Sequence, residues 1–187
     1  MRPNKRDELV SKALQVFYDN GFHATGMDKL AAATGVSKTS MYKHFRTKED
    51  IIIATLRLRD ANFRGWLYDR VETLAQTPRA QLLAIFDALE EWFAKPEFSG
   101  CMFIKASAEF QDRDHPIHRQ SADHKRALTE HFAEIAGRAG AKDALALARQ
   151  LMILKEGAII MAVIGESETP AQDAKLAAET LLQAGLD

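Results

Sequence analysis

Between Lys38 and Phe45 the sequence KTSMYKHF packs two amines, two hydroxyls, a phenol and an imidazole into a single short run. Those groups suit hydrogen bonding to the edges of base pairs and to phosphate oxygens. Met41 and Phe45, four residues apart, are the apolar members of the run, and that spacing places them together on the inward face of a helix. Lys38, Thr39, Ser40 and Lys43 are the expected base-edge contacts. Thr25, Tyr42, His44 and Lys48 are expected at phosphates, with Lys48 aided by the positive N-terminus of its own helix.

The flanking residues supply the elements that would hold such a run in place. Thr25 is expected to cap a helix, with Asp28 three residues on in capping-box register and Met27, Leu30 and Ala31 facing inward. Gly35 marks a sharp turn of the kind that takes positive φ. Val36 is a candidate plug, and Ser37 a suitable N-cap for the run itself. Thr47 and Asp50 form a second capping box that opens a long helix from Lys48 to about Ala75. These features predict two short helices around a glycine turn, a unit shaped to enter a major groove.

The segment resembles the N-terminal helix-turn-helix domain of the TetR/AcrR transcriptional repressors. Leu9, Ala13, Phe17 and Gly21-Phe22 fit that family's first helix and turn. Leu30-Ala31, Gly35-Val36-Ser37, Tyr42-x-His44-Phe45 and Lys48-Glu49 fit the rest, over roughly the first quarter of the chain. Thr39 stands where the family usually has Gly or Ala, and Lys43 where His or another polar residue is common. The resemblance implies a homodimeric regulator of double-stranded operator DNA, a repressor released by a small-molecule effector.

Charge is distributed accordingly. Residues 1–48 hold nine Lys/Arg (Arg2 among them) against four acids, a net +5, while the remainder holds 16 against 22, a net −6. A basic head on an acidic body is expected where only one end meets a polyanion. The start MRPNKRDE shows no apolar stretch behind its charges, and no apolar run is long enough to span a bilayer, so no membrane partner is expected. One cysteine, Cys101, excludes an internal disulfide and suits a reducing, cytoplasmic setting.

With five prolines and ten glycines among abundant Ala, Leu, Glu, Lys and Arg, the composition favours an all-α fold of about nine helices. Six helices are expected beyond the basic head: 48–75, one beginning at Thr77-Pro78, 101–110, 117–139, 143–164 and 170–184. With no flexible linker in between, the expected boundary lies inside the long helix. Residues 1–48 would then be the helix-turn-helix DNA-binding domain, and 49–187 an effector-binding and dimerisation bundle.

Other chemistries have less support. His115, His118, His124 and His131 gather near Asp112 and Asp114, yet only His124 and His131 share a helical face, so no metal site is assigned. Ser107 and Ser121 lack a GxSxG elbow, and neither GxGxxG nor GxxxxGK[ST] occurs. No catalytic residue, enzyme activity or cofactor is expected. Cys101 opens a helix with Lys105 one turn on. It reads either as an electrophile- or oxidant-sensing thiol, the basis of an alternative repressor, or as apolar filler beside Met102 and Phe103. A ligand-independent DNA-binding protein is the other alternative.

Residues 143–164 are apolar almost all round, which requires burial on most sides. Together with the Ala-rich final helix they are expected to form the dimer interface, through Leu151, Met152, Ile159 and Leu181. Phe63, Trp66, Phe86, Leu89, Phe93, Phe103 and Phe110 are the expected lining of an effector pocket, its ligand small and mainly apolar. Lys105 and Glu109 are possible polar handles there.

Overall fold

The computed structural model describes residues Asn4–Leu186; Arg2 of the basic head lies outside them. Nine α-helices follow one another among the described residues: α1 (Lys5–Asn20), α2 (Met27–Thr34), α3 (Lys38–His44), α4 (Lys48–Leu74), α5 (Pro78–Phe93), α6 (Met102–Glu109), α7 (Pro116–Arg138), α8 (Ala144–Ile164) and α9 (Pro170–Gly185). The fold is all-α, with no strand among the described residues. None of these helices is long and apolar enough to cross a membrane. The chain divides into two compact units. The first runs to Phe63 and takes in Cys101–His124; the second comprises Arg64–Gly100 and the described residues from Lys125 onward.

In the first unit, α1, α2 and α3 pack together around Leu9, Ala13, Phe17, Phe22, Leu30, Met41 and Phe45, all buried. Side-chain caps fix the starts of three helices. Asn4 Oδ1 accepts from Asp7 N at 2.9 Å, and Ser37 Oγ from Ser40 N at 3.2 Å. Thr47 Oγ1 accepts from Asp50 N at 3.1 Å while Asp50 Oδ2 accepts from Thr47 N and Arg46 N, both at 3.0 Å. That reciprocal box satisfies backbone donors that a helix start leaves without intrahelical partners.

The start of α2 differs from expectation. Its N-cap is Gly26, with no side-chain cap, and Asp28 pairs with Lys38 instead. Thr25 is fully buried, and its hydroxyl donates to Gly21 O at 2.7 Å, so it closes the preceding turn.

In the second unit, α5 is buried on most of its circumference, with Leu82, Ala84, Ile85, Phe86, Ala88, Leu89 and Trp92 all covered, and it packs with α8 and α9. Thr77 Oγ1 accepts from Ala80 N, and Pro78 sits in the first turn of α5, where its missing N–H costs nothing. Lys175 of α9 donates to both carboxylate oxygens of Asp87 on α5, at 2.7 and 2.9 Å. Leu74 is exposed at the end of α4, whereas Val71 and Ala75 are buried there.

Most of the expected interface residues are covered within the single chain. Leu151, Met152 and Ile159 are 0, 7 and 1% exposed within the single chain, and Leu181 is half-buried. A side chain already covered by its own protomer has little area left for a partner. The apolar residues that α8 and α9 leave outside are Leu145, Ile153, Ile160, Met161, Val163, Ile164 and Leu176.

Candidate nucleic-acid interface

The short helix α3 stands on Met41, fully buried, with Phe45 covered just past its end. Gly35 ends α2 at φ 70°, and its N–H donates to Ala31 O at 3.0 Å. That left-handed residue lets the chain turn within two residues into the Ser37 cap. Lys12 of α1 reaches across to Thr34 O at 3.0 Å and holds the same corner from outside.

With its apolar side fixed, α3 turns the rest outward. Lys38, Thr39, Tyr42, Lys43 and His44 are exposed and Ser40 is half-buried. Tyr42 is 53% exposed, which places a large ring and its hydroxyl on the surface. All of the expected base-edge residues therefore share one accessible helix, and Tyr42 and His44 lie on it with them. Lys38 carries an ion pair with Asp28 of α2, and the hydrogen bond to that carboxylate, with its charge, raises the ammonium pKa. Arg6 lies over the Phe45 ring at 5.0 Å, so a cation of α1 also covers the base of the helix.

Two of the expected phosphate contacts also have partners within the chain. Thr25 has no accessible side chain. Lys48, the first residue of α4, is half-buried and donates from Nζ to Phe22 O at 3.0 Å. It thereby ties the start of α4 to the α1–α2 turn.

The turn holds residues that sequence reasoning did not place. Glu109, at the end of α6, accepts from Phe22 N at 2.9 and 3.1 Å and from His23 N at 2.6 Å. His23 returns a bond between its Nε2 and Glu109 O at 2.9 Å and packs its ring on Phe110 at 4.6 Å. Lys105, one turn earlier on α6, donates to Tyr18 O at 3.0 Å, and burial lowers its pKa. Both residues, expected as effector handles, are engaged with α1 and the turn behind it. Only the i, i+4 pairing of opposite charges on a short apolar helix hinted that the two act together.

The seven aromatic and aliphatic residues expected around an effector fall into separate groups. In the first unit, Phe103 stacks on His124 at 3.7 Å, with Phe63 edge-on to the same ring at 5.9 Å. His124 Nδ1 lies 2.7 Å from Asp60 Oδ1, so this aromatic group encloses a buried polar pair. Phe110 lies instead against Phe22, His23 and His115. In the second unit, Phe86 and Leu89 are core residues of α5, Phe93 packs with Trp92 and Phe98, and Trp66 lies beneath Lys95 at 4.9 Å.

Cys101 is buried at the N-cap position of α6. His118 Nδ1 meets Phe110 O at 2.8 Å, and His131 stacks on Tyr68 at 3.6 Å, where burial lowers its pKa.

The second unit contains an unusual charged cluster. Glu156 accepts from Lys155 Nζ at 2.8 Å and from Lys125 Nζ at 2.7 Å, and Lys155 is almost wholly buried. Burial alone would raise the carboxyl pKa, but the two ammonium groups outweigh it and bring it down to about 2.

A tri-helical head with a glycine turn, a capped third helix and an exposed polar face is the helix-turn-helix class of DNA-binding module. The family model for bacterial regulatory proteins of the tetR family matches residues 9–55, and that for the tetracyclin repressor-like C-terminal domain matches residues 78–178. The chain belongs to the tetR family of transcriptional regulators. The HTH-type transcriptional regulator YjdC of Escherichia coli K12 is 24% identical over 179 residues, covering 96% of this chain and 94% of YjdC. A TetR-family transcriptional regulator from Streptomyces coelicolor is 27% identical, with a TM-score of 0.89 over 97% of this chain and 90% of its own. A structure from Streptomyces avermitilis, assigned to the TetR transcriptional regulators, is 31% identical, with a TM-score of 0.85 over 98% of both chains. The protein is accordingly a DNA-binding transcriptional regulator and not an enzyme.

Proposed function

We propose that the protein is a cytoplasmic homodimeric repressor that places α3 of each protomer in the major groove of one half of a palindromic operator and is released by a small, mainly apolar effector. The exposed polar face of α3 above buried Met41 carries this reading, because it presents several hydrogen-bond donors to solvent on one short helix. Lys38, Thr39, Ser40 and Lys43 read base edges. Tyr42, His44 and Lys48 hold phosphates, and Thr25 contributes by fixing the turn rather than by contact. The aliphatic residues that α8 and α9 leave exposed support dimerisation through those helices. The aromatic content of the chain beyond residue 49 supports an apolar, aromatic effector.

Fluorescence anisotropy with operator and scrambled duplexes tests the docking. Lys48→Ala should weaken both alike and flatten the slope of log K against log salt by about one unit, as expected for one lost phosphate contact. Thr39→Ala or Lys43→Ala should instead change the preferred sequence, each by about 1–3 kcal/mol. An unchanged affinity and slope for Lys48→Ala would overturn the docking.

A further inference from the structure

The α1–α2 turn is short, and several of its backbone groups have partners from elsewhere in the chain. Gly21 N donates to Phe17 O at 2.9 Å, and Gly21 O accepts from the Thr25 hydroxyl. Phe22 O accepts from Lys48 Nζ. The N–H groups of Phe22 and His23 both go to the carboxylate of Glu109, 87 and 86 residues away in sequence. Two donors converging on one carboxylate make charge-assisted bonds, roughly twice as strong as neutral ones.

The approach depends on Gly21. Its φ of 78° is open to glycine at no steric cost, and a Cβ there would stand 2.9 Å from Glu109 Oε1. Four residues earlier on the same face of α6, Lys105 takes Tyr18 O in the last turn of α1. A cation on the carbonyl end of α1 and an anion on the N–H groups just beyond it match the polarity of the backbone at both points. His23 adds the return contact to Glu109 O.

We propose that Glu109 is a positioning residue for DNA binding: its carboxylate holds the Phe22-His23 turn so that Phe22 O in turn fixes the Lys48 ammonium at the start of α4. The route is short and wholly hydrogen-bonded, from the Glu109 carboxylate to Phe22 N–H, through one residue, and from Phe22 O to Lys48 Nζ. Lys105 assists by fixing the end of α1 from which the turn departs. DNA binding through α3 and Lys48 is the reading this rests on. What it adds is that a side chain of α6 governs the placement of one of the cations used.

Two variants test it from opposite sides. Glu109→Gln keeps the length and loses the charge and one acceptor; Glu109→Asp keeps the charge and loses the reach. Each should lower operator affinity on the order of tenfold while helicity by circular dichroism stays intact, since partly buried amide donors lose their acceptor. Amide exchange should quicken at Phe22 and His23 in both. In a cycle with Lys48→Ala the losses should be strongly non-additive, because removing Lys48 removes what Glu109 positions. Additive losses, or slowed binding with unchanged exchange at Phe22 and His23, would reduce Glu109 to a general stabiliser and overturn the proposal. Full affinity in the Asp variant would overturn it as well. If Lys48→Ala alone left affinity unchanged, the phosphate reading of Lys48 would fall, while the exchange data would still report whether Glu109 holds the turn.

Discussion

Helices α3 and α8 are both amphipathic in the plain sense that one side is buried, yet what they leave outside could hardly differ more. α3 buries Met41 and presents Lys38, Thr39, Tyr42, Lys43 and His44. α8 buries Leu147, Ala148, Leu151, Met152, Ala158 and Ile159 and then presents Ile153, Ile160, Met161 and Ile164, exposed by 38 to 72%. The buried faces explain folding in both cases, and the outward faces differ in the kind of partner they would suit. Donors and cations fit a polyanion. A row of exposed aliphatics along α8 would suit a second apolar surface, since water penalises such a patch by about 25 cal/mol for each Å².

The sharpest way to break the comparison is to place one charge on each side of α8. Leu151→Glu puts a carboxylate where the wild-type side chain has no exposure, and should cost about 4 kcal/mol or more and unfold or aggregate the chain. Ile153→Glu, two residues on and 72% exposed, should leave the protomer's thermal melt at low concentration within about 0.5 kcal/mol of wild type. It should nevertheless yield monomers in sedimentation and weaken operator binding in parallel. Dimers that persist in both Ile153→Glu and Leu176→Glu would move the interface off these helices.

That contrast also marks what could and could not be read from sequence. The start of α4 was legible because Thr47 and Asp50 are three residues apart and act on each other; Ser37 and Gly35 were legible for the same local reason. Thr25 was misplaced because Gly26 could take the extended cap position itself, leaving the hydroxyl to close the turn on Gly21. The face of α8 was not legible at all. A helix apolar on nearly every side carries no phase, so periodicity could not separate Leu151 from Ile153. Glu109 was hidden by distance along the chain: backbone N–H groups leave no mark in the sequence, and nothing in FIKASAEF points to a turn 87 residues earlier.

A second, smaller effect separates the two regions by their electrostatics. The cations of α3 are exposed, whereas Glu156 next to α8's core is held by Lys155 and Lys125, and its pKa lies at about 2. A carboxylate with a depressed folded-state value contributes stability that is fully present above its unfolded value near 4.5 and lost as pH falls toward 2. The contribution is about 2–3 kcal/mol after allowing for its partial exposure. Glu156→Gln should therefore lower the melting temperature at pH 7 and remove part of the acid-side loss between about pH 4.5 and 2. Removing the carboxylate also leaves Lys155 buried without that partner, so the neutral-pH cost should exceed the acid-side gain. Identical pH–stability curves for the variant and wild type would show that the cluster is solvated in solution.

The smallest effect belongs to α3 itself. Lys38 is a base-edge residue in the proposed docking, but in the protein alone it is paired with Asp28 on α2, both side chains well exposed. Binding to DNA must exchange that carboxylate for a base or phosphate, and Asp28 also brings a negative charge toward the duplex. An exposed pair of this kind contributes little to folding, so Asp28→Asn should leave the melting temperature unchanged. It should raise affinity for scrambled DNA by about two- to fivefold at low salt, with the gain fading as salt screens the charge. Affinity for the operator should rise less, because there Lys38 already spends the bound state on a base, so discrimination between operator and scrambled duplex should fall. If Asp28→Asn instead weakened operator binding and left scrambled binding alone, Asp28 would be orienting Lys38 for readout rather than competing for it, and the polar face of α3 would be built across two helices instead of one.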